Sequence, residues 1–164
     1  MPFRRQLFVP AKRDYIKGKS RPRVDCILCS ILANDPAVTS LLIWQDDLFA
    51  VSANLYPYNA GHLLLFPKRH ILDPREFEPC EEAAFFPLLK RCLDILEHLY
   101  QPLGFNIGFN IGDASGASVP HLHQHLVPRY HKELGFVDVI TGSKIIIEDP
   151  QVTMTRIKEA FART

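Results

Sequence analysis

The fold of this chain is decided by the stretch His121-Leu122-His123-Gln124-His125-Leu126-Val127-Pro128-Arg129, which places three histidines two residues apart. In a strand, residues i, i+2 and i+4 share one face, whereas on a helix this spacing would scatter the rings around the axis. The apolar pair Leu126-Val127, ended by Pro128, favours a strand. We therefore predict a strand over 120–127 whose three imidazoles converge on a single site. The alternative is a ladder of polar residues on the surface.

Imidazole is the side chain that can act near neutral pH as nucleophile, base or metal ligand, because its unperturbed pKa is about 6.5.

The 164 residues suffice for one domain with a sizeable core. The longest uncharged apolar runs, such as 63–66 and 145–147, are far too short to span a membrane. Residues 1–10 show no secretory apolar region. We therefore expect a cytoplasmic protein with no membrane partner.

Charge is distributed unevenly, although the net charge is only +1. We predict a basic N-terminal arm over 1–25, followed by a single domain over 26–164. The arm could bind anions such as nucleotide phosphates, or it could be a solvated or dimer-wrapping tail. Against two acidic residues, Asp14 and Asp25, its basic residues are Arg4, Arg5, Lys12, Arg13, Lys17, Lys19, Arg21 and Arg23.

The hydrophobic pattern predicts an α+β domain on an antiparallel sheet, because strands precede and follow one long helix with few βαβ alternations. Apolar residues at helical spacing predict that helix over 79–100, and Pro87 should either kink it or mark its true first turn. The remaining predicted elements are a short helix or knuckle over 26–35, a strand pair over 44–52, strands over 62–67 and 105–111, a loop over 112–116, extended segments over 137–147 and a closing helix over 153–163.

The four cysteines include the pair in Cys26-Ile27-Leu28-Cys29. In an intracellular protein a C-x-x-C pair indicates metal binding or redox chemistry before it indicates a disulfide. Redox chemistry would require a thioredoxin-like βαβ context, which is not evident, and a metal-free buried pair stays possible. Cys80 and Cys92 are expected to be buried thiols of a helix.

Several motifs share their order and spacing with a known family. Gly61-His62 leads a strand that ends Pro67-Lys68-Arg69-His70, and Asn110-x-Gly112 and Ser115-Gly116-Ala117-Ser118 precede the histidines. Together with the His-x-His-x-His signature, they resemble the histidine triad (HIT) superfamily over most of residues 6–142. Segments 7–10, 26–29 and 135–140 look most like its bacterial and archaeal diadenosine tetraphosphate phosphorylase type. In this family the residue between the second and third histidines is usually apolar, and Gln124 departs from that pattern. The stretch before His121 is also similar to the corresponding stretch of galactose-1-phosphate uridylyltransferases.

The resemblance implies a HIT-like fold: an antiparallel sheet of about five strands with one long helix and a short C-terminal helix. It also implies a homodimer and a nucleotide substrate. His123 would be the nucleophile that forms a nucleotidyl-histidine, with His125 and Ser118 as the other catalytic residues. The alternative to these roles is that Asn110 and Ser118 only form a turn and that the apolar residues only pack in the core. The implied substrate-binding residues are Asn54, His62, Asn110, Gly116, Ala117, Ile27, Leu28 and Ile31.

A zinc site is the second implication of the resemblance. Family members with a C-x-x-C pair complete four ligands with a histidine at the position of His70 and with the first triad histidine, here His121. Two thiolates and two imidazoles form a closed tetrahedral site, which is structural. The implied ligands are Cys26, Cys29, His70 and His121. Three histidines chelating a catalytic metal would conflict with this assignment of His121.

The functional hypothesis is a nucleotidyl hydrolase or transferase that cleaves dinucleoside polyphosphates of the diadenosine tetraphosphate type, by phosphorolysis or hydrolysis. One alternative is cleavage of other nucleoside monophosphate conjugates, such as phosphoramidates or sugar-linked nucleotides. Another is a non-catalytic module that binds nucleotide or nucleic acid. Because a binder needs no nucleophile, the set of His123, Ser118 and Asn110 favours the enzyme, and we do not expect nucleic acid as a partner.

Overall fold

The computed structural model describes residues 22–131, 133 and 148–163. Five strands form one sheet in the order β1-β2-β3-β5-β4, with every neighbouring pair antiparallel. The strands are β1 (Leu42–Gln45), β2 (Phe49–Ala53), β3 (Leu63–Pro67), β4 (Gly104–Phe109) and β5 (Gln124–Arg129), and the helices are α1 (Ile27–Leu32), α2 (Pro79–Tyr100) and α3 (Pro150–Phe161). The predicted α+β class, the five-stranded antiparallel sheet, the long helix and the short C-terminal helix are all confirmed.

Helix α2 has the predicted bounds. A capping box between Glu78 and Glu81 starts it, Pro79 lies in its first turn, and Gln101 ends it in the left-handed conformation with φ 47°. Pro87 lies inside the helix, so it is not the first turn. Cys92 is buried on this helix as expected, but the expectation for Cys80 is wrong, because it is exposed in the first turn of α2.

The two faces of the sheet are covered by different helices. Residues of α2 and α3 pack with Val51, Leu63 and Leu65 in the main core. Residues of α1 pack with Ala50 and Phe66 in a second apolar cluster. Because side chains alternate along a strand, these clusters lie on opposite faces. Strand β3 is therefore covered on both faces, as its nearly continuous apolar sequence predicts.

The histidine strand differs from its prediction. It begins at Gln124 rather than at residue 120, because the preceding backbone bonds outside the sheet: the Leu122 N–H donates to Ile71 O (2.7 Å). It also continues through Pro128, which pairs with Phe105 of β4. The pairing with β3 ends at Leu126, so at Pro128 the missing N–H removes no ladder bond to β3. Strand β4 ends at Phe109, two residues before its predicted end.

Some predictions concern residues outside the ranges that the structure describes. Residues 1–21, which form most of the basic arm, and the extended segments over 137–147 lie outside the described residues. No helix in the described ranges combines the length and the apolar composition needed to cross a membrane.

Candidate active site and metal cluster

The three triad histidines do not converge on one site, which corrects that expectation. His121 lies with Cys26 and Cys29, whereas His123 and His125 line a pocket. Only His125 belongs to a regular strand, and the bend at His121 breaks the alternation that would place all three rings together. The tertiary structure thereby divides the run into an end that joins the cysteine pair and an end that lines the pocket.

The pocket lies over the face of the sheet that α1 covers. Helix α1 contributes an apolar wall, the segments after β2 and β4 contribute amides, and the loop before the triad contributes small residues. Ala117 of the predicted set is not part of the lining, but its N–H lies in the same loop, 3.3 Å from Ser115 Oγ. The predicted residues that line the pocket are Ile27, Leu28, Ile31, Asn54, Asn110, Gly116, Ser118, His123 and His125.

His123 has a tautomer fixed by its backbone partner. Its Nδ1 lies 2.7 Å from the carbonyl oxygen of His121. Since a carbonyl can only accept, Nδ1 carries the proton and Nε2 of the neutral ring keeps a lone pair. Burial lowers the pKa of His123, which favours this neutral form. The ring is therefore prepared to act as a nucleophile or base through Nε2.

The contact with His62 places the proton of His125 on Nε2, the opposite ring nitrogen to that of His123. The Tyr58 backbone N–H donates to His62 Nδ1 (3.0 Å), so a neutral His62 carries its proton on Nε2. That atom lies 3.0 Å from His125 Nδ1, which must then accept. A neutral His125 consequently carries its proton on Nε2. Asn110 Nδ2 lies 3.3 Å from that nitrogen, so a hydrogen bond between the two side chains requires the Asn110 amide to be turned so that Oδ1 accepts. His125 is thus arranged as a donor, beside a His123 ring whose own Nε2 is unprotonated.

Asn54 and His62 also contact each other, with Asn54 Nδ2 3.3 Å from both ring nitrogens of His62. His62 is almost completely buried, and its contact with the pocket is through His125. Tyr58 is a candidate site residue that sequence reasoning missed. The turn residues around it were visible in the sequence, but the direction of one backbone N–H depends on the folded loop.

The loop before the triad relies on two glycines with positive φ. Gly112 has φ +77° and Gly116 has φ +84°, conformations that an L side chain rarely adopts. Between them, the Ser115 hydroxyl donates to Gly112 O (2.7 Å) and closes the turn. Asn110 contacts His125 rather than the turn itself. The loop therefore places Gly116 and Ser118 in the lining of the same pocket as His123.

The second site is a cluster whose four ligand atoms all lie within 4.8 Å of one another, from Cys26, Cys29, His70 and His121. Cys29 Sγ is 3.3 Å from His70 Nδ1, and Cys26 Sγ is 3.4 Å from His121 Nδ1. Cys26 caps α1, and its sulfur accepts from the Cys29 N–H. All four predicted ligands are therefore brought together.

The donor set fits a metal ion such as zinc. His121 Nε2 lies 2.8 Å from Pro67 O and must donate to it, which leaves Nδ1 with a lone pair facing the thiols. Such a backbone acceptor is the usual partner of a zinc-bound imidazole. Burial lowers the pKa of His121 to about 4. Burial also raises the pKa of the Cys29 thiol to about 11, with the Cys26 hydrogen bond acting in the same direction, so a bound cation would be needed to hold the thiolate.

Comparisons with known proteins agree with this geometry. An AP-4-A phosphorylase of Mycobacterium tuberculosis is 35% identical over 124 residues, which cover 75% of this chain and 64% of that protein. The chain therefore spans less than two thirds of the length of that relative. An asymmetrical bis(5'-nucleosyl)-tetraphosphatase of Schizosaccharomyces pombe is 28% identical over 103 residues, covering 63% of this chain and 57% of that protein.

Solved structures include a Zn-bound histidine triad family protein from Mycobacterium smegmatis. It superposes with a TM-score of 0.68 at 26% identity, covering 85% of this chain and 94% of that one. A sequence model of the HIT domain matches residues 36–132, which is more than half of the chain and includes all three triad histidines. On these grounds the chain belongs to the HIT family.

Proposed function

We propose that this protein is an enzyme that cleaves dinucleoside polyphosphates of the diadenosine tetraphosphate type through a nucleotidyl-His123 intermediate. The observation that carries the proposal is the 2.7 Å contact between His123 Nδ1 and His121 O, which leaves a lone pair on Nε2 of a pocket residue. A module that only binds nucleotide has no need of a fixed nucleophile tautomer. The phosphorylase and tetraphosphatase relatives support the same substrate class.

The reaction has two displacements. In the first, His123 Nε2 attacks the α-phosphorus, the bond from that phosphorus to the bridging oxygen breaks, and the leaving polyphosphate departs as an anion whose oxygen accepts a hydrogen bond from His125 Nε2. In the second, an acceptor attacks the phosphorus, the P–N bond breaks and returns its electron pair to His123 Nε2, and any proton of the acceptor passes to solvent. The sum regenerates both rings. The complementary protonation of the two histidines is what this sequence requires.

The other residues bind and orient the nucleotide. Ile27, Leu28 and Ile31 would cover the base, and Asn54 would bond the ribose hydroxyls, since an amide both donates and accepts. Asn110, Ser118 and the amides of Gly116 and Ala117 would hold the charge that develops on the phosphoryl oxygens. His62 would act through His125, whose Nδ1 it contacts at 3.0 Å.

Zinc would be held by Cys26, Cys29, His70 and His121 as a structural ion. A closed set of two thiolates and two imidazoles leaves no position for substrate, so the ion would supply folding stability. It would fasten α1, which carries the apolar wall of the pocket, to the segment that enters β5. No step of the reaction passes through it.

The products of the second displacement identify the acceptor. We take phosphate as the acceptor, in line with the AP-4-A phosphorylase relative, and the experiment uses diadenosine tetraphosphate with ¹⁸O-labelled phosphate. ATP and labelled ADP are expected. AMP in place of ADP would assign hydrolysis, and cleavage only of phosphoramidate or sugar-linked nucleotides would replace the substrate class. Binding without turnover of any of these would leave a nucleotide-binding module and overturn the proposal.

We also propose a two-fold symmetric homodimer. Among the described residues, β4 has a paired strand on one side only, and an edge strand offers its free backbone groups to a second copy. Light scattering at micromolar concentration should give twice the mass of one chain. A fully active monomer would contradict this assembly.

A further inference from the structure

A short backbone segment at the end of β3, residues 67–71, holds His121 from two sides. The Pro67 carbonyl oxygen accepts a hydrogen bond from His121 Nε2 (2.8 Å), and the Ile71 carbonyl oxygen accepts one from the Leu122 N–H (2.7 Å). The first bond orients the imidazole, and the second orients the peptide plane between His121 and Leu122. The segment therefore sets both the ring and the backbone of this member of the metal cluster.

The same peptide plane reaches the pocket. Its C=O end is the His121 oxygen that accepts from His123 Nδ1 (2.7 Å). Because a peptide group is planar, its N–H and C=O ends turn together. A rotation that broke the bond to Ile71 would also take the carbonyl oxygen away from His123. The tautomer of His123 therefore depends on where the 67–71 segment lies.

His70, in the middle of this segment, is the exposed member of the metal cluster, whereas Cys26 and His121 are buried. Its Nδ1 lies 3.3 Å from Cys29 Sγ. An exposed side chain that is not held by packing loses more conformational freedom when it is ordered, unless its backbone is already fixed. The geometry of the cluster therefore also depends on what fastens the 67–71 segment.

Arg69 fastens the segment to the start of α2. Its Nε donates to Glu81 Oε1 (3.2 Å) and its Nη2 to Glu81 Oε2 (2.7 Å), which is the two-bond arginine–carboxylate fork. Nη2 also donates to the Glu76 carbonyl oxygen. Glu81 is a firm anchor, because it is only 3% exposed and its carboxylate also accepts from the Glu78 N–H (2.8 Å) in the capping box. The fork therefore joins the segment to a fixed point of the helix.

We propose that Arg69 is a positioning residue, which acts through the 67–71 segment on the metal cluster and on the tautomer of His123. Glu81 anchors Arg69, and Arg69 fixes the segment. The segment in turn orients His121, whose carbonyl oxygen holds His123. The effect on the metal rests on the zinc site of the proposed function, whereas the effect on the tautomer does not depend on zinc. Loss of a group that supports metal ligands from behind typically weakens metal binding by about ten- to a hundred-fold.

The test removes the fork without leaving an unpaired buried charge. In the double variant, Arg69→Met with Glu81→Gln, the new amide keeps the acceptor that caps α2. Glu81→Gln alone is the conservative variant, since its amide oxygen can still accept from Arg69. Arg75→Met is the matched control, because Arg75 forms a similar fork with Asp73 (2.8 Å and 2.6 Å) but lies outside the 67–71 segment.

Two measurements on the full chain carry the test. Competition with a chromophoric chelator should give a zinc dissociation constant about tenfold or more higher in the double variant than in the wild type. Long-range ¹H–¹⁵N NMR of the protein as purified should show His123 as the Nδ1–H tautomer in the wild type and as a mixture of tautomers in the double variant. Glu81→Gln and Arg75→Met should resemble the wild type in both measurements.

The outcomes are distinguishable from those of the proposed reaction, because neither measurement uses turnover. Unchanged zinc affinity and an unchanged tautomer in the double variant overturn the proposal, whatever happens to the melting temperature. Equal changes in Arg75→Met would overturn it as well, since they would not be specific to the fork. A weaker zinc site with the wild-type tautomer would overturn the link to the pocket, and the reverse result would overturn the link to the metal.

Two further outcomes are also decisive. If the wild type binds no zinc, the proposed metal site fails, and the tautomer alone decides the role of Arg69. If the double variant does not fold, Arg69→Lys takes its place, because lysine keeps the charge but cannot form the fork. The same direction of change is expected there, and wild-type behaviour of a folded Arg69→Lys would overturn the proposal.

Discussion

His121 and His123 are two residues apart in the chain, yet their rings present opposite nitrogens to different sites. His121 donates from Nε2 to Pro67 O and turns Nδ1 toward two thiols. His123 donates from Nδ1 to His121 O and keeps the lone pair on Nε2, in the pocket. Burial lowers the pKa of both rings. The comparison shows that a backbone carbonyl, rather than the residue type, decides which nitrogen of each histidine keeps its lone pair.

The two regions are also joined through one residue. The side chain of His121 belongs to the metal cluster, while its carbonyl oxygen holds the tautomer of His123. The cluster and the pocket therefore differ in chemistry but are joined through the backbone of His121. The following variants separate their contributions, beginning with the largest expected effect.

Replacement of His123 by alanine should lower kcat for diadenosine tetraphosphate by about ten-thousand-fold or more, because the attacking atom is lost. The dissociation constant of a non-hydrolysable analogue should change little, since the walls of the pocket remain. Steady-state kinetics and calorimetry check the two parts. Substantial turnover that co-purifies with the variant through successive columns would show that another group is the nucleophile.

Loss of the donor in His125→Ala should lower kcat by about a hundred-fold to a thousand-fold, the range typical of a removed hydrogen-bond donor to developing oxygen charge. A substrate whose leaving oxygen carries a well-delocalised charge, such as the 4-nitrophenyl ester of AMP, should lose much less. The comparison of the two substrates is the measurement. Equal losses on both would mean that His125 does not donate to the leaving oxygen.

On the metal side, Cys26→Ala combined with Cys29→Ala should abolish zinc binding and cost about 3 kcal/mol or more of unfolding free energy. That loss lowers the melting temperature by about 6–12 °C in a chain of this size. Elemental analysis and thermal melting check both expectations. Cys80→Ala is the matched control, because that exposed thiol lies outside the cluster. Unchanged metal content in the double variant would refute the site.

The smallest effect concerns Gln124, which lies between His123 and His125 in sequence. Its buried Oε1 has no hydrogen-bond partner among the described residues. By strand alternation its side chain shares the face of Leu126, in the main core, away from the pocket. Gln124→Leu should therefore stabilise the protein by about 1 kcal/mol, or about 2–4 °C in melting temperature. A lower melting temperature would show that the amide has a partner.

Much of the fold was predictable because its signals are local. Helical spacing of the apolar residues gave α2 its bounds, and the continuous apolar run of β3 predicted cover on both faces. The boundaries of β5 were not predictable from local pattern. They depend on the bond from Leu122 to Ile71 and on where the pairing with β3 ends, and both involve residues distant in the chain.

Residue types, spacing and resemblance were sufficient to give the α+β class, the family and the set of side chains available to the two sites. The division of those side chains between the sites depends on how the chain folds. The bend at His121 sends one triad ring to the cysteines, and the partners Pro67 O, His121 O and the Tyr58 N–H fix which nitrogen of each ring holds the proton. Backbone groups look alike at every position of a sequence, so their directions become known only when the chain is folded.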